Sequence, residues 1–135
     1  MKPQSLIDYI LYLADNNLIL AQRNAEWCAH GPVLEQDIAI TNISLDLIGQ
    51  ARNFYQYAAL LKADGSTEDS LAYLRDTNKF KNLLITELPN GDWAKTILKL
   101  FFFSTFQHCL YKKLIDSTDK QHLVHMLTTE SVKRS

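Results

Sequence analysis

Hydrophobic residues recur at spacings of three and four along most of the chain, which is the pattern of amphipathic helices. Residues 5–29 contain no Gly or Pro, and their apolar positions form two neighbouring faces. The first face contains Leu6, Ile10, Leu13, Asn17, Leu20, Asn24 and Trp27, and the second contains Ile7, Leu11, Ala14, Leu18, Ala21 and Ala25. The polar face carries Asp8, Asp15, Gln22 and Arg23. So wide an apolar surface predicts a helix with more than one packing neighbour, and Gly31 is expected to be its C-terminal cap.

A second long helix is predicted over residues 34–62. Its apolar residues form two stripes, one of Ile40, Ile43, Leu47, Phe54, Ala58 and Leu61 and one of Ile38, Leu45, Ile48, Tyr55 and Ala59. Gly49 lies inside this helix, where it costs roughly 1 kcal/mol relative to Ala. We therefore expect Gly49 to allow a close contact between two helices.

Shorter elements are predicted between the second helix and the next long one. Ser66 or Thr67 is expected to cap a short helix through Leu71 and Leu74. Residues 76–79 should end that helix, and residues 80–86 should form another short helical turn. Residues 88–91 then form a turn.

A third long helix is predicted from its N-terminal cap, Asp92, to about Asp116. Its apolar residues surround the helix axis, so we expect this helix to be central. They are Trp93, Ile97, Leu100, Phe101, Phe102, Phe103, Phe106, Leu110 and Leu114. After a turn at residues 117–119, a short last helix is expected from Lys120 to the end of the chain.

Together these elements predict an all-α fold in a single domain, residues 1–135. Ferritin-like bundles have one long crossover between their second and third helices. Residues 63–91 have the length of such a crossover, whereas the last helix is too short to be a full fourth helix. The sequence therefore predicts a ferritin-like helical bundle that is incomplete in its fourth helix.

Composition and charge exclude several classes of function. Fourteen basic and fifteen acidic residues leave a net charge of −1, and no basic stripe is present, which argues against nucleic acid binding. The longest uncharged run, residues 100–111, is shorter than the roughly 20 residues that span a bilayer. The N-terminus has no targeting pattern. Cys28 and Cys109 are expected to be reduced, mostly buried thiols of a cytoplasmic protein.

A ferritin-like bundle raises the question of a di-iron centre, which needs a carboxylate from each of two helices and Glu-x-x-His from each of the other two. Only Asp119 has a His three residues later, and Asp119 is better read as a helix cap. His122 and His125 have a metal-compatible spacing but no evident third ligand. No Asp or Glu lies between Asp92 and Asp116. Because iron of this type needs carboxylates, the sequence predicts a bundle without a metal site or catalytic residues.

The remaining polar candidates favour structural roles. Glu26 and His30 are expected to make a local hydrogen bond, and His108 to be a satisfied core histidine. Polar residues also interrupt the apolar helices, namely Asn17, Asn24, Asp46, Gln50, Arg52 and Asn53. We interpret them as a hydrogen-bonded, partly buried network that fixes helix register. The alternatives are the remnant of an active-site pocket and a surface for a partner.

Several segments, in order along the chain, resemble a known family. They are residues 15–23, 26–35, 42–54, 71–76, 80–84 and 87–92. Residues 45–54 and 88–93 are the most specific of them. Together they resemble the structural, non-catalytic subunits of bacterial phenylacetyl-CoA epoxidase, over about residues 6–117.

The resemblance implies a ferritin-like fold and a homologous catalytic subunit as partner, with the di-iron centre in that partner. The complex would use oxygen, and electrons from NADPH through a reductase, to epoxidise the aromatic ring of phenylacetyl-CoA. Leu47 and Gln50 stand where the catalytic relative has the Glu and His of its Glu-x-x-His motif. The chain itself would then bind no cofactor and support the catalytic subunit.

Two other functions remain open at this point. One is a di-iron oxidoreductase in its own right, and the other is a free-standing helical interaction module. Members of the family are longer and supply a full fourth helix, so the third helix is expected to be partly uncovered here. Exposed apolar patches usually mean association, and we therefore expect a homo- or hetero-oligomer.

Overall fold

The computed structural model describes residues 3–115, which form helices and turns with no strand. The long helices are α1 (Pro3–Ala25), α2 (Leu34–Lys62) and α5 (Trp93–Ile115). The crossover between α2 and α5 contains α3 (Glu68–Tyr73), a 3-10 turn (Thr77–Lys79) and α4 (Leu84–Glu87). The all-α prediction and the long crossover are confirmed. The predicted turn at residues 117–119 and the last helix lie outside the described residues.

Among the described helices the central one is α1, and within residues 3–115 the prediction that α5 is central is wrong. Along α1, both predicted apolar faces are buried over most of their length, as their width indicated, although Leu6 is half-buried and Ala25 is exposed. By contrast, Phe101 is 62% exposed on α5, and Phe102 and Phe106 are also exposed. The reason is that α5 packs on α1 along one face only. Its other faces have no partner among residues 3–115, although the sequence makes them equally apolar.

α1 and α2 form an antiparallel pair. Most of the core lies between them, with Ile10, Leu13, Ala14, Phe54 and Ala58 buried together. The helix bounds agree with the sequence except at the end of α1, which stops at Ala25 and not at residue 29. Burying these apolar side chains provides the main driving force for the pair.

The turn between α1 and α2 uses its glycine for space and not for a left-handed conformation. Ala29 adopts the left-handed conformation, with φ of 69°, so the prediction that Gly31 caps α1 is wrong. A Cβ on Gly31 would lie 2.9 Å from the Cβ of Asp37. Asp37 in turn accepts a hydrogen bond from the Ala29 N–H at 2.8 Å. Gly31 thus lets the turn approach the first turn of α2.

Within the described part of the chain, Gly49 does not serve the close helix contact that its position predicts. An added Cβ at Gly49 would meet no atom of that part within 4 Å. The side of α2 around Gly49 faces outward, where Leu45 is exposed. The helix therefore tolerates this glycine without any visible packing gain among the described residues.

The crossover begins and ends with the caps that the sequence indicates. Thr67 caps α3, and its side chain and that of Ser70 form a reciprocal capping box. Asp92 caps α5, since its Oδ1 accepts from the Lys95 N–H at 2.8 Å. The helical turn predicted over residues 80–86 is shifted, because α4 runs from Leu84 to Glu87 and residues 80–83 are not helical.

A buried carboxylate fastens the crossover to the helical pair. Asp15 is fully buried, which corrects its assignment to the polar face of α1. Its Oδ1 accepts from the Tyr55 hydroxyl at 2.5 Å and from the Arg75 guanidinium, and its Oδ2 accepts from the Lys81 N–H at 2.9 Å. Burial, together with the Asp15 carboxylate, raises the pKa of Tyr55. One side chain of α1 therefore joins α2 and two points of the crossover.

Neighbouring contacts extend this attachment. Asn16 Oδ1 accepts from the Leu83 N–H at 2.6 Å, two residues beyond the backbone group that Asp15 holds. The Arg75 guanidinium lies 4.5 Å from the ring centroid of Phe80, in cation–π range. Arg75 Nε also donates to the Leu71 carbonyl at 2.5 Å. The segment from Leu71 to Leu83 is thus fixed in register on α1.

The side chains of α2 and α5 leave an open groove between the two helices. We call it the α2–α5 groove and define it by Ile40 and Ile43 of α2 and by Trp93, Ile97 and Leu100 of α5. It encloses about 210 Å³. The three long helices therefore form an open bundle, in which the side opposite α1 is not covered by residues 3–115.

Replacing the buried carboxylate should cost far more stability than replacing an exposed one on the same helix. We expect Asp15→Ala to lower the free energy of unfolding by about 3–5 kcal/mol, because it leaves the guanidinium of Arg75, whose side chain is only 12% exposed, without its counter-charge. Asp8 is the matched control, since it pairs with Lys81 on the surface at 3.0 Å, and Asp8→Ala should cost less than about 1 kcal/mol. Urea unfolding followed by circular dichroism measures both. Equal losses would contradict this account of the attachment.

Candidate functional site

The centre of the bundle at the level of Leu47 is apolar. Leu47 is buried and packs with Leu20 and Ala21 of α1 and with Leu100 and Phe103 of α5. Gln50 follows one turn later on α2 and is partly buried. The position that the resemblance aligns with a metal-binding glutamate is therefore occupied by a leucine in a hydrocarbon cluster.

An amide cluster lies next to this apolar layer, between α1 and α5. Gln107 Nε2 donates to Asn17 Oδ1 at 2.5 Å and to the Tyr111 hydroxyl at 2.7 Å. Asn17 is fully buried, so these bonds satisfy a polar group inside the core. Sequence reasoning selected Asn17 but missed Gln107 and Tyr111. Asn17 itself could have indicated them, because a buried amide on an apolar stripe requires a hydrogen-bond partner on the facing helix.

A second polar cluster holds the turn before α5 against the end of α1. Asn90 Nδ2 donates to the Arg23 carbonyl at 2.7 Å and to Glu26 Oε2 at 3.3 Å. Lys99 Nζ donates to the Leu88 carbonyl at 3.1 Å and to Asn90 Oδ1 at 3.3 Å. Burial lowers the pKa of Lys99, and the nearby Arg23 acts in the same direction. Residues 88–93, which are among the segments most specific to the family resemblance, therefore hold the turn before α5 against the end of α1.

Tryptophan contacts complete this end of the bundle. Trp27 Nε1 donates to Thr96 Oγ1 at 2.6 Å, and the rings of Trp27 and Trp93 meet edge to face with centroids 5.8 Å apart. These contacts fix the start of α5 on α1, as the Gln107 cluster does further along. The two polar contacts differ in level by several helical turns, so they set both the register and the direction of α5.

The predicted pair of Glu26 and His30 is wrong. Glu26 accepts from Arg23 at 3.0 Å and from Asn90, and His30 is exposed in the turn. His108 is also exposed, which corrects its assignment as a core histidine. Because α5 has one packed face, a residue next to Gln107 in sequence points away from the core.

The other polar residues of α2 do not form one buried network. Arg52 is exposed and pairs with Glu68 at 3.3 Å. Asp46 is also exposed and Asn53 is half-buried, and both have interaction partners. By helical spacing, Asp46, Gln50 and Asn53 lie on one side of α2. The structure thus separates them from Asn17, which the sequence analysis had grouped with them.

The cysteines are not the buried pair that composition suggested. Cys109 is exposed, and Cys28 is half-buried with its Sγ 3.3 Å from Thr41 Oγ1. Both are free thiols. Neither stands beside a base in the contacts of the described residues, so the structure gives them no catalytic arrangement.

A cleft of about 440 Å³ lies between α1 and the crossover. Four of its polar residues, Arg23, Glu26, Asn82 and Glu87, hydrogen-bond within this set. Arg23 Nε donates to the Glu87 carbonyl at 3.1 Å, and Asn82 Nδ2 donates to Glu87 Oε1 at 2.8 Å. Groups that satisfy each other in this way fix the crossover and do not present a set of free acids and bases.

The donor set of residues 3–115 does not fit a di-iron centre. Within that range no three His, Cys, Asp or Glu side chains lie close enough together to hold a metal ion. Residues 93–115 contain no Asp or Glu, and Leu47 occupies the centre. Asp119, His122 and His125 lie outside the described residues. Among the described helices, none has the length and apolarity of a membrane span.

Three long helices, a long crossover and an apolar centre place this protein in the class of ferritin-like helical bundles. The chain belongs to the family of phenylacetic acid catabolic proteins, whose sequence profile matches residues 1–126. Over 116 residues it is 50% identical to a protein of Escherichia coli (strain K12) that is named as one of the subunits of 1,2-phenylacetyl-CoA epoxidase. The family resemblance expected from the sequence is thereby confirmed.

The match covers 86% of this chain but only 46% of the E. coli protein. The chain therefore spans about half the length of the curated relative that it matches, and it corresponds to the N-terminal part. The activity and partners of the relative are carried over below only as proposals.

The amide cluster between α1 and α5 should be a source of stability. We expect Gln107→Leu to cost about 1–3 kcal/mol of unfolding free energy, because it leaves the buried Asn17 carbonyl without a donor. The neighbouring variant His108→Leu should change stability by no more than about 0.5 kcal/mol, since His108 is exposed. Thermal and urea unfolding measure both, and a larger loss from His108→Leu would contradict the assignment.

Placing on α2 the Glu and His that the resemblance implies for a catalytic relative should not create an iron site. We expect L47E/Q50H to bury a carboxylate among apolar side chains and to lower the unfolding free energy by about 2 kcal/mol or more. Iron uptake, measured by elemental analysis after loading, should stay at the wild-type level because α5 supplies no carboxylate. Uptake of about two irons per chain would show that the other ligands are present after all.

Proposed function

We propose that the chain is a structural and assembly subunit of a phenylacetyl-CoA 1,2-epoxidase complex and has no catalytic activity of its own. The observation that carries the proposal is the apolar packing of Leu47 against Leu100 and Phe103. This packing stands where a catalytic bundle needs metal-binding carboxylates. The E. coli relative is named as one subunit of such an epoxidase, which supports a role within an assembly.

The proposed division of labour assigns the chemistry to a partner. A homologous catalytic subunit would hold the di-iron centre and receive electrons from NADPH through a reductase, and this chain would bind no cofactor. The complex would act in aerobic phenylacetate degradation, in the cytoplasm. The chain would contribute a rigid binding surface, which can hold the catalytic subunit in its active conformation.

The surface of the bundle supports this role. On α5, Leu98, Phe102 and Phe106 are spaced four residues apart and are all exposed, so they form a stripe on one side of the helix. Contiguous apolar surface of this kind marks sites of association. The proposal therefore includes a hetero-oligomer, or a homo-oligomer before the partner binds.

Co-expression with a catalytic subunit of the epoxidase tests the proposal. We expect the tagged chain to co-purify with that subunit, and ring epoxidation of phenylacetyl-CoA to fall at least about tenfold when the chain is omitted. Asp8→Ala, which removes only a surface ion pair with Lys81 and a surface hydrogen bond from Gln4, should leave co-purification unchanged. Asp15→Ala should reduce co-purification in proportion to the loss of folded chain.

Each contrary result selects another function. Equal epoxidation without the chain would contradict the supporting role. Iron in the chain, together with turnover by the chain alone, would make it a di-iron oxidoreductase. A folded chain that does not co-purify would be a free-standing helical module.

A further inference from the structure

A largely apolar stripe runs along the outer side of α2. Its residues are spaced alternately four and three apart, which is the spacing of the seam between two coiled helices. They are Leu34, Ile38, Thr41, Leu45, Ile48 and Arg52, and we call them the outer α2 stripe. Within the described part of the chain, all of them are exposed except Thr41, which is half-buried. Thr41 donates its hydroxyl to the Asp37 carbonyl at 2.9 Å, so it adds no unpaired donor to the stripe.

The outer α2 stripe is distinct from the α2–α5 groove. Ile43 lines the groove and precedes Leu45 by two residues, which places the two side chains on nearly opposite sides of the helix. Leu47 and Phe54 lie on a third side of α2 and are buried in the core. A helix that binds along the stripe therefore leaves the groove as it is.

Gly49 lies at the edge of the stripe, one turn after Leu45. A glycine inside a helix lowers helix stability relative to alanine, and Gly49 gains no packing from the described residues, since an added Cβ would meet none of their atoms within 4 Å. Because Gly49 has no side chain, a second helix has room to approach the α2 backbone at this position. Gly49 is thus suited to a contact outside this chain.

A cavity opens at the C-terminal end of the stripe, between α2 and α3. It encloses about 230 Å³, and its lining includes Ile48, Arg52 and Tyr73 together with the buried Ala51 and Ala72. Tyr73 is 66% exposed, so the cavity is open toward the stripe side of α2. A hole beside a helical seam fits an aliphatic side chain of the facing helix.

The outer α2 stripe is complementary to a second copy of itself in the antiparallel direction. In one register every position of the stripe meets another position of the stripe, so that Ile48 faces Ile38 of the second copy and Arg52 faces its Leu34. Leu34 and Ile38 of each copy then lie over the cavity of the other. The overlap, residues 34–52 of both copies, is about five helical turns long.

The charges along α2 favour the antiparallel direction over the parallel one. Glu35 and Asp37 lie in the first turn of α2, whereas residues 47–62 contain no Asp or Glu. A parallel pair would bring the acidic ends of both copies together, which is repulsive. An antiparallel pair places Glu35 beside Arg52 of the other copy. Arg52 pairs with Glu68 of its own chain at 3.3 Å, so its guanidinium would lie between acids of both chains.

The exposed side of α5 is less suited to pairing with itself. Residues 93–115 contain four lysines and no Asp or Glu, so two copies that met through α5 would repel each other. The apolar side chains of Leu98, Phe102 and Phe106 are therefore better matched to a partner of different sequence.

We propose that the outer α2 stripe joins two copies of this chain in an antiparallel pair with two-fold symmetry. The same residues act on both sides of such an interface, which is why one stripe and one cavity in each chain suffice. The pair leaves α5 free for another partner. The inference therefore does not depend on the epoxidase role, and its failure would leave that role standing.

The oligomeric state of the full chain tests the proposal. We expect size exclusion with light scattering to show a dimer whose population increases with chain concentration. Leu45 faces Thr41 of the second copy next to the symmetry axis, so Leu45→Glu places two charges in the interface. This variant should raise the dissociation constant of the dimer at least about tenfold.

Two exposed leucines supply matched controls. Leu60 is on α2 beyond the overlap and Leu98 is on α5, so Leu60→Glu and Leu98→Glu should leave the dimer unchanged. The wild-type side chains of Leu45, Leu60 and Leu98 are 62%, 77% and 54% exposed. All three variants should therefore fold, as circular dichroism will verify.

Cysteine cross-linking tests the register of the pair. Cys28→Ser and Cys109→Ser first remove the two free thiols. In that background, a chain with Ile38→Cys is mixed with a differently tagged chain that carries Ile48→Cys, and the mixture is oxidised. We expect the mixed pair to form a disulfide-linked dimer and neither chain alone to do so, because a disulfide requires the two Cβ atoms to be adjacent.

Four results would overturn the proposal. The first is a folded wild-type chain that stays monomeric at every concentration. The second is a dimer that Leu45→Glu leaves intact, and the third is equal weakening by Leu45→Glu and by the two control variants. The fourth is cross-linking of either cysteine variant with itself as fast as in the mixed pair, which would reject the antiparallel register.

Discussion

The buried carboxylate of Asp15 is the interaction on which the rest of this structure depends. A carboxylate without water needs several donors, and Asp15 obtains them from Tyr55, Arg75 and the Lys81 backbone. These donors come from α2 and from two points of the crossover. Satisfying one charge therefore aligns α1 with α2 and fixes the crossover on α1. The crossover then delivers residues 87–92 to the polar cluster around Asn90, which positions α5.

The same arrangement of helices can hold a metal site or an apolar centre, depending on the side chains in its central layer. Here Leu47 and Phe103 occupy that layer, and Gln107 and Asn17 occupy the adjacent layer. Apolar packing and hydrogen bonds between neutral amides hold the helices together. They need no bound metal, because they bring no carboxylate charge into the core. A bundle of this kind contributes a stable surface to an assembly, which is the role we propose within the epoxidase.

Periodicity predicted α1 and α2 well because both are amphipathic helices with long, regular stripes. It failed where the outcome depends on distant residues. Asp15 was assigned to a polar face, because no residue near it in sequence indicates that the distant Arg75 pairs with it. The apolar girth of α5 suggested a central helix, yet only one of its faces packs among residues 3–115. The sequence alone identified the segments that resemble the family and the absence of carboxylates in α5. The hydrogen-bond partner of Asn17 could be identified only from the structure.

The central proposal is that this ferritin-like bundle binds no iron and acts through its surface. Elemental analysis of the chain, produced alone in iron-rich medium and purified without chelators, tests it most directly. The account predicts iron far below one atom per folded chain. About two irons per chain, with the absorption of an oxo-bridged pair, would contradict the account. That result would indicate that this chain is itself a di-iron enzyme.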